Sequence, residues 1–160
     1  VSEIALRPRG ATALLDGVGK TIALVSERHD KLADADKPGA VIVVVITDGH
    51  ENASVEWRLS AVRDAVERAE KQRNWRFVFL GADASAFDEA GAMGIGAAAA
   101  YTASARGVAV AYDELGEVAR KYRERARSGE VHALLEIKKD LRVEDEATSG
   151  SGGARGKTRH

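Results

Sequence analysis

Thr12 and Asp48 are the two residues whose types and positions in the sequence suggest metal chemistry. Asp48 stands at the end of residues 40–49, a run of β-branched residues that ends in Asp48-Gly49, and Thr12 stands where an amphipathic helical pattern begins. In an α/β sheet both positions lie at the carboxyl edge, where ligands bind. A hydroxyl and a carboxylate are oxygen ligands that magnesium accepts, although it takes about six, some of them water. Taken alone, Thr12 is interpreted equally well as the N-cap of its helix.

Two other kinds of site are matched less well. The segment Gly17-Val-Gly-Lys-Thr21 resembles a phosphate-binding loop, but that motif requires a glycine at position 14, where this chain has leucine. A serine hydrolase would show G-x-S-x-G, which is absent, and the histidines have no shared spacing that would pair them. Only His50 follows a predicted strand, and an exposed loop histidine is its default interpretation.

The apolar pattern predicts strands that alternate with helices. Because residues 41–46 are apolar without interruption, we expect the strand in residues 40–49 to be central and covered on both faces. This alternation predicts a doubly wound, mainly parallel α/β sheet. The helices are predicted at residues 11–32, from the polar loop after Asp48 (with Asn52 or Ser54 as N-cap) to residue 72, at 86–93 and at 106–126, and further strands at 75–81 and 96–101.

Composition restricts the remaining possibilities. The chain has 160 residues, which suffices for one domain but not for two of ordinary size. A net charge of -1 gives no electrostatic case for nucleic acid. No apolar run approaches the roughly 20 residues of a membrane-spanning helix. The absence of cysteine fits a reducing compartment, so we expect a cytoplasmic protein. Residues 130–143 fit a strand or a helix, and residues 144–160 are predicted to be a disordered tail.

Three segments carry a family resemblance. They are residues 7–16 (RPRGATALLD), 43–54 (VVVITDGHENAS) and 75–82 (WRFVFLGA). In order and separation they resemble the second two-thirds of a bacterial von Willebrand factor type A (vWA) domain. The resemblance runs from about residue 4 to about residue 105, so residues 1–105 are interpreted as a partial vWA domain. Residues 106–129 are interpreted as a C-terminal amphipathic helix that packs on it.

The resemblance implies a Rossmann-like fold with a metal-ion-dependent adhesion site. In that site Mg²⁺ or Mn²⁺ is held at the top of the sheet, and a carboxylate of a protein partner completes its ligand shell. By position, Thr12 would be a hydroxyl ligand and Asp48 a carboxylate ligand. The resemblance further implies that Gly10 and Gly49 let the loops approach each other, and that the partner surface includes His50, Glu51 and Asn52.

The sequence also departs from the family. The family's first loop, Asp-x-Ser-x-Ser, and the strand before it do not occur in this chain, and Asp83-Ala-Ser85 follows a different strand. We therefore expect an N-terminally incomplete domain whose sheet associates with itself or depends on another chain. A metal-assisted hydrolase that uses Asp48 and a metal-free structural subunit are the alternatives to a metal-dependent binding module.

Overall fold

The computed structural model describes residues 11–128, 137–138 and 140–142. Gly10, most of the segment at 130–143 and the predicted tail at 144–160 lie outside them. A four-stranded parallel sheet has the order β1 (Val41–Thr47), β2 (Trp75–Gly81), β3 (Ala97–Tyr101), β4 (Asp140–Leu141). The helices are α1 (Leu14–Asp30), α2 (Leu59–Arg73), α3 (Ala86–Ala92) and α4 (Ala105–Arg127), with a short 3₁₀ turn at Asp34–Asp36. Strands and helices alternate, which confirms the predicted Rossmann-like α/β class.

Strand β2 lies at the centre of the core. All of its seven residues are buried, because helices cover both of its faces. Trp75, Phe77 and Phe79 pack in the cluster that contains α1, α2 and α3. Val78 and Leu80 pack on the other face, in the cluster that contains residues of α4. The sequence WRFVFLG is apolar on both alternating sets of positions except for Arg76, whose guanidinium lies over the ring of Tyr122.

Strand β1 differs from its prediction. In the described part of the chain it pairs only with β2, so it is an edge strand and not a central one. Val43 and Val45 are buried against α1 and α2, whereas Val44 and Ile46 are 39% and 38% exposed. The expectation of burial on both faces was therefore wrong for these residues, because α4 covers β2 and β3 and leaves the same face of β1 open.

The predicted helices are found, but α2 begins later than expected. Its first residue is Leu59, and its N-cap position is Arg58, with no side-chain cap. Neither Asn52 nor Ser54 caps it, and Val55, which falls inside the predicted helix, precedes α2 and is 88% exposed. The sequence pattern did not show that residues 50–57 form a separate loop that is held by side chains of α1. Among the described residues, each helix is too short or too polar to cross a membrane.

Candidate functional site

The loop after β1 contacts the segment that leads into α1. The N–H of Thr12 donates to Oδ1 of Asn52 at 2.8 Å, and the N–H of Asn52 donates to the carbonyl oxygen of Thr12 at 3.1 Å. A Cβ atom at position 49 would lie 2.8 Å from Oγ1 of Thr12. The hydroxyl of Thr12 therefore packs directly against Gly49, and any side chain at position 49 would displace it.

Asp48 lies in the turn that follows β1. The hydroxyl of Thr47 donates to the carbonyl oxygen of Gly49 at 2.7 Å and accepts from its N–H at 3.2 Å, which fixes the turn after β1. Asp48, in the middle of that turn, is exposed and accepts no hydrogen bond from the described residues. Its charge nevertheless acts across the edge of the sheet: burial raises the pKa of the Tyr101 hydroxyl, and the negative charge of Asp48 raises it further.

The hydroxyl of Thr12 does not cap α1. The helix begins at Leu14, its N-cap position is Ala13, and no side chain makes the cap hydrogen bond from that position. The interpretation of Thr12 as an N-cap is therefore wrong. The sequence did not show this, because a threonine two residues before the helix has the same signature as one at the cap.

Glu51 performs the capping instead, from a distant part of the chain. Its carboxylate accepts hydrogen bonds from the N–H of Leu15 at 2.8 Å, of Ala53 at 3.0 Å and of Ser54 at 2.8 Å, and from the hydroxyl of Ser54 at 2.7 Å. Burial acts to raise the pKa of Glu51, but these hydrogen bonds outweigh it and lower the pKa. The side chain is half-buried and both of its oxygens are engaged within the loop, whereas His50 and Asn52 are exposed.

Asp16 makes the reciprocal contact from α1 to the loop. Its Oδ1 accepts from the N–H groups of Glu56 at 3.0 Å and Trp57 at 2.7 Å, and its Oδ2 accepts from the N–H of Val55 at 3.1 Å. The pKa of Asp16 is lowered because these hydrogen bonds outweigh its desolvation. Asp16 has no predicted role, because its only signal in the sequence is an acidic side chain in the first turn of a helix, where it also suits the helix dipole.

A second polar cluster lies where the β1 loop meets α3. Nδ1 of His50 is 2.7 Å from Oε1 of Glu89 and 3.3 Å from Oγ of Ser85, and its Nε2 is 3.5 Å from Oδ2 of Asp83. The hydroxyl of Ser85 is 2.6 Å from Oδ1 of Asp83. The hydrogen bond to Glu89, followed by the charges of Asp83 and Glu89, raises the pKa of His50.

The geometry of this cluster does not match a catalytic serine site. A serine nucleophile needs an imidazole nitrogen that is free to take its proton, with an acid at the other nitrogen. Here carboxylates face both nitrogens of His50, which favours the charged imidazolium, and the hydroxyl of Ser85 is bonded to Asp83. The cluster therefore joins the loop after β1 to the segment at residues 83–89 through charged hydrogen bonds.

The loops that follow β1 and β2 leave little space between them. The space between the loops at 47–50 and 81–89 has a volume of only about 10 Å³, which holds at most one water molecule. Within the described ranges, no group of three or more His, Cys, Asp and Glu side chains is arranged to hold a metal ion. Thr12 and Asp48 offer one hydroxyl and one carboxylate, so the described residues alone do not fit a resident magnesium ion.

Comparisons of the chain with protein-family models, with curated proteins and with solved structures gave no match.

Proposed function

We propose that this chain is a protein-binding module of the vWA type, which contacts a partner protein with the carboxyl edge of its sheet. The observation that supports this best is the packing of the Thr12 hydroxyl against Gly49, beside the exposed carboxylate of Asp48. Thr12 and Gly49, which are 37 positions apart in the sequence, are therefore in contact, and Asp48, the residue before Gly49, has an exposed side chain. The reciprocal contacts of Asp16 and Glu51 hold that surface in place before a partner arrives.

The divalent cation enters the proposal through the family resemblance, because the ligand set is incomplete. When bound, Mg²⁺ or Mn²⁺ would supply positive charge between Asp48 and a carboxylate of the partner. The ligands beyond Thr12 and Asp48 would have to come from water, from the partner or from residues outside the described ranges. This chain would contribute the orientation of Thr12 and Asp48 and the rigidity of the loops that carry them.

Mn²⁺ is a suitable probe for the cation, because it broadens the NMR signals of nearby nuclei. We expect added Mn²⁺ to broaden the amide signals of Thr12, Asp48 and Gly49 before others in the full chain. The Asp48→Ala variant should lose this effect. Asp64→Ala, which removes an exposed carboxylate from α2, should keep it. Equal broadening in wild type and Asp48→Ala would remove the cation from the proposal.

Partner binding is tested separately, by cross-linking the full chain in an extract of its source cells with Mg²⁺ or with EDTA. We expect a specific cross-linked product that Asp48→Ala abolishes and Asp64→Ala retains. A product that Asp48→Ala leaves unchanged would contradict the proposed surface.

A metal-free binding module is the second candidate, and the shortage of ligands around Asp48 favours it. It predicts a product that needs Asp48 but is the same in EDTA. A hydrolase that uses Asp48 is not favoured. Among the described residues, Ser85 and His50 are in contact close by, but carboxylates face both nitrogens of His50, so its imidazole is not free to act as a base. As part of the same proposal we place the module in the cytoplasm, because a chain without cysteine suits a reducing compartment.

A further inference from the structure

The side chain of Tyr101 is buried, and its hydroxyl makes no hydrogen bond with the described residues. Tyr101 ends β3, is only 4% exposed and packs in the cluster that contains Leu80 of β2 and Ala111 of α4. Each tyrosine hydroxyl that is buried in this way normally has a hydrogen-bond partner. A buried polar group without a partner lowers the stability of the fold. The described fold therefore does not account for this hydroxyl.

Tyr101 lies close to Asp48 at the carboxyl edge of the sheet. Thr47 pairs with Gly81, and Gly81 pairs with Ala100. Asp48 and Tyr101 each follow this row by one residue, so that only β2 lies between them and their backbones are about 10 Å apart. Burial raises the pKa of the Tyr101 hydroxyl, and the negative charge of Asp48 raises it further. The carboxylate and the hydroxyl therefore act on each other across the end of β2.

Two other residues contribute to this part of the edge. Ala82, which follows β2 between Asp48 and Tyr101, has only a methyl side chain and is half-buried. Tyr112 of α4 is 60% exposed, and its phenol group is close enough to contribute to the raised pKa of Tyr101. The edge thus carries one carboxylate and two phenol groups beside a small residue.

The charge of Asp48 has no cationic partner in the part of the chain that the structure describes. His50, which is close in sequence, contacts Asp83 and Glu89 instead. A carboxylate without a partner, beside neutral hydroxyls, attracts a cation. A magnesium ion needs more oxygen ligands than the described residues supply here. An organic cation, which is bound through its own N–H donors, does not have this requirement.

An arginine side chain matches these groups in chemistry and in size. Its planar guanidinium has five N–H donors, so it can bond a carboxylate and a hydroxyl oxygen at the same time. It also packs favourably on the faces of aromatic rings, such as those of the two tyrosines. The ammonium of lysine is compact and strongly hydrated, and it suits a separation across a strand less well.

We propose that the carboxyl edge binds an arginine side chain of the partner protein, whose guanidinium pairs with Asp48 and donates a hydrogen bond to the hydroxyl of Tyr101. This inference rests on the proposed function, because it uses the same surface, and it names the partner group for the metal-free form of that function. The hydroxyl of Tyr101 is left without a bond in the free chain because the partner supplies it.

The first test is an NMR titration of the full chain with the peptide acetyl-Gly-Arg-Gly-amide. Its control is the same peptide with citrulline, which has nearly the shape of arginine but no charge. The arginine peptide should shift the amide signals of Asp48, Ala82 and Thr102, and the citrulline peptide should not. Asp48→Ala should weaken binding of the arginine peptide by roughly tenfold or more. Asp64→Ala, on the exposed face of α2, should not change it.

The second test compares two buried tyrosines. Tyr122 is also 4% exposed, but its hydroxyl donates to Oδ1 of Asn74 at 3.4 Å. Tyr122→Phe should therefore lower the Tm and leave peptide binding unchanged. Tyr101→Phe removes no hydrogen bond from the free chain, so its Tm should be unchanged or higher. It should nevertheless weaken binding of the arginine peptide by roughly tenfold, because a hydrogen bond to a charged group is lost.

Four results would overturn the inference. A Tyr101→Phe variant that loses as much stability as Tyr122→Phe would show that the hydroxyl has a structural role. Full peptide binding by Tyr101→Phe would show that the hydroxyl does not contact the ligand. Equal shifts with the arginine and citrulline peptides would show that the charge is not recognised. Broadening by Mn²⁺ that depends on Asp48, without any shift from the arginine peptide, would leave the proposed function in place and exclude arginine as the group that is bound.

Discussion

Asp16 and Glu51 accept backbone N–H groups inside the carboxyl edge, whereas Asp83 and Glu89 contact the imidazole of His50 at its surface. Asp16 is 7% exposed, while the side chains of His50 and Asp83 are 61% and 58% exposed. The carboxylates of Asp16 and Glu51 fix the path of the loop, because each accepts several backbone N–H groups that are partly removed from water. Exposed charge pairs contribute little to stability, because water and salt screen them.

The two groups of carboxylates have different structural roles. Asp16 and Glu51 shape the loop that carries Asp48, while the cluster around His50 joins that loop to α3 at the surface. Asp48 belongs to neither, because it accepts no hydrogen bond from the described residues. Changes to the first cluster should therefore alter stability and the Asp48 surface together, and changes to the second should alter neither by much.

Asp16→Ala should give the largest effect. It removes the acceptor of three backbone N–H groups, from Val55, Glu56 and Trp57, and so releases the loop from α1. We expect a lower Tm and faster hydrogen exchange at residues 55–57. Asp64→Ala, which removes an exposed carboxylate of α2, is the control and should leave both unchanged. If the two variants melt together, the loop is not held by Asp16.

Glu51→Ala should follow, with a loss of about 1–3 kcal/mol in the free energy of unfolding, because the N–H groups of Leu15, Ala53 and Ser54 lose their acceptor. Urea denaturation measures it. Glu67→Ala removes a glutamate that pairs only at the surface of α2, and it should be indistinguishable from wild type. A Glu51→Ala variant of wild-type stability would mean that Ser54, whose hydroxyl accepts from the N–H of Asp16 at 3.0 Å, is sufficient to cap α1.

The acid side of the stability profile tests both carboxylates. The pKa values of Asp16 and Glu51 are lowered from ordinary values of 3.8 and 4.5, so their contribution is complete above those values and is lost as the pH falls below them. We expect the difference in Tm between wild type and Glu51→Ala to be constant at neutral pH and to shrink in acid. A difference that is independent of pH would show that packing, not charge, is lost.

Gly49→Ala should affect the surface more than the fold. The added methyl group would meet the Thr12 hydroxyl at 2.8 Å, which forces that side chain to rotate. Rotation away from a preferred conformer costs of order 1 kcal/mol, so the Tm should fall only slightly. The NMR signals of Thr12 should shift, and Asp48-dependent partner binding should weaken. Gly96→Ala, just before β3 at a position where a Cβ meets nothing within 4 Å, is the matched control. Binding at wild-type strength in Gly49→Ala would show that the partner does not use the Thr12 hydroxyl.

Prediction from sequence succeeded where a pattern is local. The strands at Trp75–Gly81 and Ala97–Tyr101 and the helix at Ala105–Arg127 follow from apolar periodicity, and they lie within one or two residues of the expected bounds. The edge position of β1 did not follow, because an apolar run looks the same whether or not its second face is covered. Sheet order depends on contacts between distant segments, which periodicity does not encode.

The candidate site shows the same limit at the level of single residues. Thr12, Asp48 and Gly49 were found by their positions at the ends of elements, and these positions are local. The roles of Asp16 and Glu51 depend on hydrogen bonds to residues that are 36 to 41 positions away in sequence. An acidic residue in a first helical turn and another in a polar loop carry no sign that each will accept N–H groups from the segment that holds the other.

His50→Gln should give the smallest effect on stability. Its dependence on pH should be opposite to that of the two carboxylates. The pKa of His50 is raised above its ordinary value of 6.5, mainly by the hydrogen bond to Glu89, so its contribution is complete below pH 6.5 and is lost as the pH rises through the raised pKa. The difference in Tm between wild type and His50→Gln should therefore be greatest in mild acid and should vanish in mild base. Because the imidazole is 61% exposed, the difference should be small even at its maximum. A difference in Tm that does not change with pH would show that the contact of His50 with Glu89 does not form in solution.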